Sequence, residues 1–161
     1  MRKKHKPIRM LMALLLSFSV FFIYIHSTKE NIVKSAIFEP NQSGISLSMQ
    51  NPYIMPIKVF RTIMVDENDK ELPITAYHVK LNGMYSGNGE NIDQAFIQEQ
   101  TDVFEELDEV TIPSDTSKNE EVYNIFITNH PKKKETFEAA GKVKVSFKVF
   151  SLIPFTTTIT L

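Results

Sequence analysis

The sequence lacks cysteine altogether, although it has 161 residues. This absence excludes disulfide bonds, thiolate-bound metal sites and catalysis by a thiol nucleophile. Glycine is also scarce, and three of the five glycines are Gly83, Gly87 and Gly89, which indicate a loop. Because the Gly87-x-Gly89 pair lacks the third glycine of a phosphate-binding loop, it predicts a turn and no nucleotide site.

Acidic side chains are absent from the first 25 residues, and no charge of either sign occurs from Met10 to Ile25. Five basic residues precede this apolar run: Arg2, Lys3, Lys4, Lys6 and Arg9. A basic head followed by an uncharged run is typical of a membrane-targeting segment. We therefore expect a cytoplasmic head at 1–9, a signal anchor or signal peptide at 10–25, and a polar tether at 26–31. The positive-inside rule places the remaining domain, 32–161, outside the cytoplasm.

Retention of this segment is favoured over its cleavage. The run would span roughly 24 Å as a helix, against about 30 Å for the hydrocarbon core of a bilayer. The best cleavage position follows Ser27, but it has Ile25 at the −3 position, where signal peptidases select small residues. The preferred interpretation is an uncleaved signal anchor, and the alternative is a domain secreted from Thr28 onwards.

Charge in the outer part of the chain is mainly negative. Five of the 18 basic residues belong to the head, which leaves 13 basic against 19 acidic residues and a net charge of −6. This balance argues against nucleic acid or anionic lipid as the main partner of the domain. Since small secreted domains of eukaryotes usually depend on disulfides, a cysteine-free exported domain fits a bacterial cell envelope better.

Alternation of apolar and polar residues predicts a mainly β domain. Ile57, Val59, Ile63 and Val65 are expected on one face of a strand, with Arg61 as the exception, and Pro154 is expected to end a hairpin arm. The predicted strands are 32–38, 45–49, 57–65, 72–81, 122–128, 143–149 and 155–161. About seven short strands separated by turns indicate a two-sheet sandwich behind one N-terminal transmembrane helix.

An insert at 91–110 has a different pattern. Its apolar residues recur at near-helical spacing, which predicts one or two short helices, with a loop as the alternative. The stretch 90–109 contains eight acids and no base. Its candidate partner-binding residues, for a basic partner, are Glu99, Asp102, Glu105, Glu106, Asp108 and Glu109. The alternative interpretation of these acids is the solvated face of an amphipathic helix.

No catalytic, cofactor or metal site is predicted. The four histidines, His5, His26, His78 and His130, have no metal-ligand spacing, and no Gly-x-Ser-x-Gly motif occurs. The acidic turn 66–69 lacks the glycine and glutamate that a helix-loop-helix calcium site requires at its sixth and twelfth positions. An ordinary hairpin turn is the preferred interpretation, and a loose surface calcium site is the alternative.

The segment Ile45–Val65 consists of an apolar-alternating strand, Asn51-Pro52, the run Pro56-Ile57-Lys58-Val59 and a second strand. This order resembles the β-sandwich domains of water-stress and late-embryogenesis-type proteins and of related bacterial envelope domains. The resemblance covers about 20 of the 161 residues. It implies an immunoglobulin-like sandwich that serves as an accessory or binding module, and it implies no catalytic residues.

These observations together predict a non-enzymatic, membrane-anchored extracytoplasmic interaction or accessory module of a bacterial cell envelope, with a protein partner there. The alternative is a secreted ligand-binding or immunity-type protein that binds a cationic partner through the acidic insert. A divergent envelope hydrolase is a third hypothesis, which requires a site formed only by residues distant in sequence.

Overall fold

The computed structural model describes residues 5–38, 44–79, 103–118, 122–129 and 137–161. Within these ranges the chain forms a long helix α1 (His5–Thr28), a 3₁₀ turn (Lys29–Ile32) and ten strands. The strands are β1 (Val33–Phe38), β2 (Gly44–Met49), β3 (Ile57–Val65), β4 (Glu71–Leu72), β5 (Thr75–Val79), β6 (Phe104–Glu106), β7 (Val110–Ile112), β8 (Tyr123–Thr128), β9 (Lys142–Val149) and β10 (Ile153–Thr160).

The strands form two antiparallel sheets. Sheet A has the order β1-β2-β8-β5-β6, and sheet B has the order β10-β9-β3-β4, with β7 also paired to β3. The prediction of a mainly β, two-sheet domain behind one apolar helix is confirmed. Alternation is clearest in β9, where Val143, Val145, Phe147 and Val149 are buried and the intervening residues are partly exposed.

Helix α1 is long and apolar enough to cross a membrane, a property that signal sequences share. An apolar window within Ile8–Ile32 has a mean hydropathy of 2.2, and 6% of it is buried. The Ser17 and Ser19 hydroxyls donate to the carbonyls of Ala13 and Leu15, four residues earlier. Both polar side chains in the middle of the run therefore satisfy their donors inside the helix, as a non-aqueous environment demands.

The expected tether at 26–31 has a different structure. Helix α1 continues to Thr28, and the 3₁₀ turn leads directly into β1. Ile25 and Ile32 are fully buried in the same cluster as the core of the two sheets. Packing of these two isoleucines keeps the segment helical where the polar sequence alone indicated a tether.

Three strand predictions differ in detail from the structure. A register shift in β3 between Val59 and Arg61 inserts one residue, so Met64 is buried while Ile63 is only partly covered. The strand predicted at 72–81 is divided, because β4 lies in sheet B and β5 lies in sheet A. Pro154 lies inside β10 rather than ending an arm, and it is tolerated because β10 is an edge strand.

The helical prediction for the insert is wrong where the structure describes it. Residues 104–106 and 110–112 are strands β6 and β7, whereas 91–102 lie outside the described residues. Phe104 packs against Phe126 and Tyr77, with ring centroids 5.8 and 6.2 Å away. Edge pairing of β6 with β5 and this aromatic contact favour a strand over the helical periodicity of the local sequence.

Candidate functional site

One end of the β-domain receives helix α1, and we call it the helix-proximal end. It comprises the loop 51–56, the loop 113–118 and the turn 150–152. The strand register brings these segments together, because Ile57 pairs with both Val149 and Ile112. Val33, at the exit of the helix, pairs with Met49 at the same end.

Aromatic side chains connect α1 to this end of the sandwich. Phe21 lies 5.5 Å from Phe150, and Phe22 lies 5.9 Å from Phe155, between ring centroids. Phe155 in turn stacks on Phe147, which lies in the core, at 5.9 Å. The last turns of the helix are therefore packed against the domain through side chains of both elements.

Tyr53 is the buried centre of this contact. Its ring lies 6.0 Å from Tyr24 of the helix and 6.4 Å from Phe147 of the core. Its hydroxyl donates to the Ile25 carbonyl at 3.3 Å, so a residue of the domain satisfies a backbone group near the end of α1. Burial raises the pKa of Tyr53 above its usual 10.0, and a hydrogen bond with Thr28 partly opposes that shift.

Asn51 organises the two loops of this end. Its side-chain amide donates to the carbonyls of Met55 and Pro113, both at 2.8 Å, and its Oδ1 accepts the backbone N–H of Tyr53 at 2.9 Å. Its own backbone N–H donates to Thr116 Oγ1 at 2.6 Å. Asn51 and Thr116 are both fully buried. The Asn-Pro turn predicted from the sequence is thus a polar link between segments more than 60 residues apart.

Large apolar side chains project into solvent at the helix-proximal end. The exposed fractions are 74% for Ile54, 55% for Phe150 and 81% for Leu152. Val122, just before β8, is also exposed. Single exposed apolar residues are ordinary, but several at one end of a domain indicate a contact surface.

The turn between β9 and β10 has an unusual backbone. Phe150 and Ser151 have φ angles of 56° and 58°, and Leu152 N–H bonds the Val149 carbonyl at 3.2 Å. Turns with two positive φ angles favour Asn and Gly, and a bulky residue there costs on the order of 1–3 kcal/mol. The fold tolerates that cost at the point where Phe150 contacts the helix.

A shallow groove of about 310 Å³ runs between α1 and β10. Its lining residues are Phe22, Ile23, His26, Ser27 and Phe155. The lining is largely apolar, and His26 and Ser27 supply polar groups at its helix end. The groove belongs to the same helix-proximal end and has no cluster of catalytic side chains.

The predicted acidic patch is divided between the two sheets. Glu105 and Glu106 lie on β6, the edge of sheet A, whereas Glu109 ion-pairs with Lys58 at 2.9 Å and Lys148 at 3.1 Å on sheet B. Hydrogen bonds from Lys58 and then Lys148 lower the pKa of Glu109 below 4.5. Asp108 lies in the bend between β6 and β7. Glu99 and Asp102 fall outside the described residues.

The acidic turn at 66–70 is an ordinary hairpin turn in its hydrogen bonding. Asp66 Oδ1 accepts the backbone N–H groups of Asn68 and Lys70, and Asp69 pairs with Lys144 at 3.0 Å and Lys142 at 3.7 Å. Across the ranges that the structure describes, no group of three or more His, Asp or Glu side chains is arranged to hold a metal ion.

The acidic insert is the binding site that the sequence predicts, whereas the helix-proximal end becomes apparent only in the folded chain. One local signal was present: residues 149–153 connect two strands with Ser151 as the sole residue of a type that is common in tight turns. Comparison of the chain with protein-family models, curated proteins and solved structures finds no match. The resemblance around Asn51-Pro52 therefore stays a prediction.

Proposed function

We propose that the chain is a single-pass membrane protein whose β-domain lies outside the cytoplasm. In this proposal the domain is a non-enzymatic interaction or accessory module of a bacterial cell envelope, and α1 is its permanent anchor. The apolar length of α1 and the two-sheet fold behind it support this assignment.

The observation that carries the proposal is the burial of the end of the helix in the domain. Ile25 is 0% exposed, and its carbonyl accepts the Tyr53 hydroxyl. Cleavage after Ser27 would remove Ile25, Phe21 and Phe22, and it would uncover Tyr53 and Phe155. A signal peptide is discarded and has no need of contacts with the mature core, so this packing favours retention.

The role of the anchor is positional. A domain held at the membrane meets membrane neighbours at a higher effective concentration than a free domain does. Because α1 packs on the domain through Tyr53 and Phe155, the domain also presents a restricted orientation to those neighbours. Among the described strands, the edge strand β1 offers backbone groups for pairing with a partner.

Retention is tested on the full-length chain, C-terminally tagged and expressed in a bacterium. The expected result is an intact N-terminal segment by mass spectrometry and a membrane fraction that resists alkaline extraction. Ile25→Ala is the matched control, because it places a small residue at the −3 position and supplies the cleavage signal that the native chain lacks. Release of a wild-type species that begins at Thr28 would overturn the anchor.

Partner binding is tested by crosslinking in intact cells, followed by mass spectrometry of the captured proteins. Reproducible capture of an envelope protein supports the module. Reversing the charge of Glu105, Glu106 and Asp108 tests the alternative, a cationic ligand held by the acidic insert, with Glu67→Lys in the exposed hairpin turn at 66–70 as the control. Capture that depends on those three acids and on low salt would favour the alternative.

A further inference from the structure

We propose that the helix-proximal end is a second membrane contact, in which Phe150, Leu152 and Ile54 enter the boundary between headgroups and acyl chains. The bilayer concerned is the one that α1 spans, so the inference rests on the proposed anchored topology. It adds a lipid-binding surface on the β-domain and a set orientation of that domain.

The position of Phe150 along the helix supports this contact. Its ring lies 5.5 Å from that of Phe21, which is four residues before Ile25, the last residue of the uncharged run. At about 1.5 Å rise per residue, Phe150 lies roughly 6 Å below the end of that run. A bilayer that covers α1 as far as Ile25 therefore reaches the turn 150–152.

Packing of the helix on the domain relates the depth of α1 in the bilayer to the depth of the β-domain. A flexible tether would let the domain move away from the bilayer surface. Here Ile25 and Ile32 are buried in the domain core, and Phe22 contacts Phe155 of β10. The level of the bilayer on α1 consequently sets the level of the bilayer on the β-domain.

The exposed side chains at the helix-proximal end are mainly apolar, as contact with lipid requires. Of the six exposed large hydrophobic side chains in the described part of the β-domain, three belong to this end: Ile54, Phe150 and Leu152. A fourth, Val122, lies next to it, because the following residue, Tyr123, pairs with Met49. The loop 51–56 and the turn 150–152 contain no charged residue. In the loop 113–118 the two charged residues, Asp115 and Lys118, pair with each other at 2.7 Å.

The backbone of the turn points to the same conclusion. Asn and Gly would relieve the positive φ angles at 150 and 151, yet the chain has Phe and Ser there. This choice keeps a large aromatic side chain beside the helix and leaves Leu152 projecting. Phe and Leu are the side chains that amphipathic interfacial segments insert into the headgroup region.

The contact depends on the boundary between headgroups and acyl chains rather than on the charge of the headgroups. The outer part of the chain has a net charge of −6, and no basic residue lies in the turn 150–152. We therefore expect the contact to form in vesicles of phosphatidylcholine alone and to be insensitive to salt.

The chain contains no tryptophan, so a single introduced tryptophan is a unique reporter of depth. The test uses full-length Leu152→Trp reconstituted in phosphatidylcholine vesicles, some of them with lipid brominated near the top of the acyl chain. Thr160→Trp is the matched control, since residue 160 is exposed and lies about 26 Å away along β10. Phe150→Trp is a second reporter that keeps an aromatic ring against Phe21.

The expected result is a blue-shifted emission for the reporters at 152 and 150, with bromolipid quenching severalfold stronger than at 160. Flotation of the chain with the vesicles but no quenching at 152 or 150 would overturn the contact while leaving the anchor intact. Equal quenching at 152 and 160 would also overturn it, because the domain would then have no set orientation. A chain that fails to float would overturn the anchor and this inference together.

Discussion

Asn51 is the residue whose loss should damage the domain most clearly. Asn51→Ala removes an amide that donates to the Met55 and Pro113 carbonyls at 2.8 Å and to the Ile112 carbonyl at 3.3 Å. It also removes an oxygen that accepts the Tyr53 N–H at 2.9 Å. The backbone bond from Asn51 to Thr116 is kept. The substitution therefore isolates the side-chain hydrogen bonds that join the two loops.

The size of the effect follows from the four backbone groups that lose a partner, of which the Tyr53 N–H and the Ile112 carbonyl are in buried hydrogen bonds and the other two in partly buried ones. Each unsatisfied buried donor or acceptor costs about 1–3 kcal/mol. Both loops are near the surface, and water will reach part of the site once the amide is gone. We expect the free energy of unfolding to fall by about 3–5 kcal/mol, a large share of the roughly 5–15 kcal/mol that holds a domain of this size.

Urea unfolding of the full-length chain in detergent micelles, followed by tyrosine fluorescence, measures this loss. Asn68→Ala, in an exposed turn, is the control and should change stability by less than about 0.5 kcal/mol. Asn51→Asp keeps the shape but turns donors into acceptors, so it should be at least as damaging at pH 7 and recover partly in acid. A loss below about 1 kcal/mol for Asn51→Ala would refute the role assigned to these hydrogen bonds.

Three further substitutions test separate contacts, each by thermal unfolding. Thr157→Val should raise stability by up to about 1 kcal/mol, because the buried hydroxyl has no hydrogen-bond partner among the described residues; a loss would contradict this. Tyr53→Phe should cost about 0.5–1.5 kcal/mol at neutral pH through loss of the bond to Ile25. The raised pKa of Tyr53 contributes stability that is present below pH 10.0 and lost as the pH rises through the shifted value. The stability of Tyr53→Phe should therefore fall less steeply than that of the wild type as the pH rises above 10.0, and identical alkaline profiles would exclude this contribution. Glu109→Gln should change little at pH 7, since the ion pairs are partly exposed. The lowered pKa of Glu109 contributes stability that is present above pH 4.5 and lost as the pH falls through the shifted value. The stability of Glu109→Gln should therefore fall less steeply than that of the wild type in acid, and identical acid profiles would show that the lysine contacts do not contribute in this way.

Several elements were predictable because their signal is local. The uncharged run from Met10 to Ile25 predicts a helix of near-membrane length, and the alternation at 142–149 predicts β9 and its buried face. Prediction failed where a contact outside the segment decides the outcome. The register shift in β3 after Val59 and the strand at 104–106 both follow from pairing with distant strands.

The candidate site was also beyond local reasoning. The acids at 105–109 are contiguous in sequence, but β6 and β7 carry them to different sheets, and Glu109 meets Lys58 and Lys148. The exposed apolar side chains of the helix-proximal end are dispersed in sequence. Only the pairing of Ile57 with Val149 brings the loop 51–56 and the turn 150–152 to one end.

Hydrophobic periodicity and charge are properties of neighbouring residues, so the uncharged N-terminal helix and the cysteine-free domain of alternating strands follow from the amino-acid order. Three features emerge only in the folded chain: the helix is packed on the domain, Asn51 links two loops, and Phe150 lies beside Phe21. Each of these contacts joins residues distant in sequence, and their energy depends on a burial that exists only once both sheets have formed.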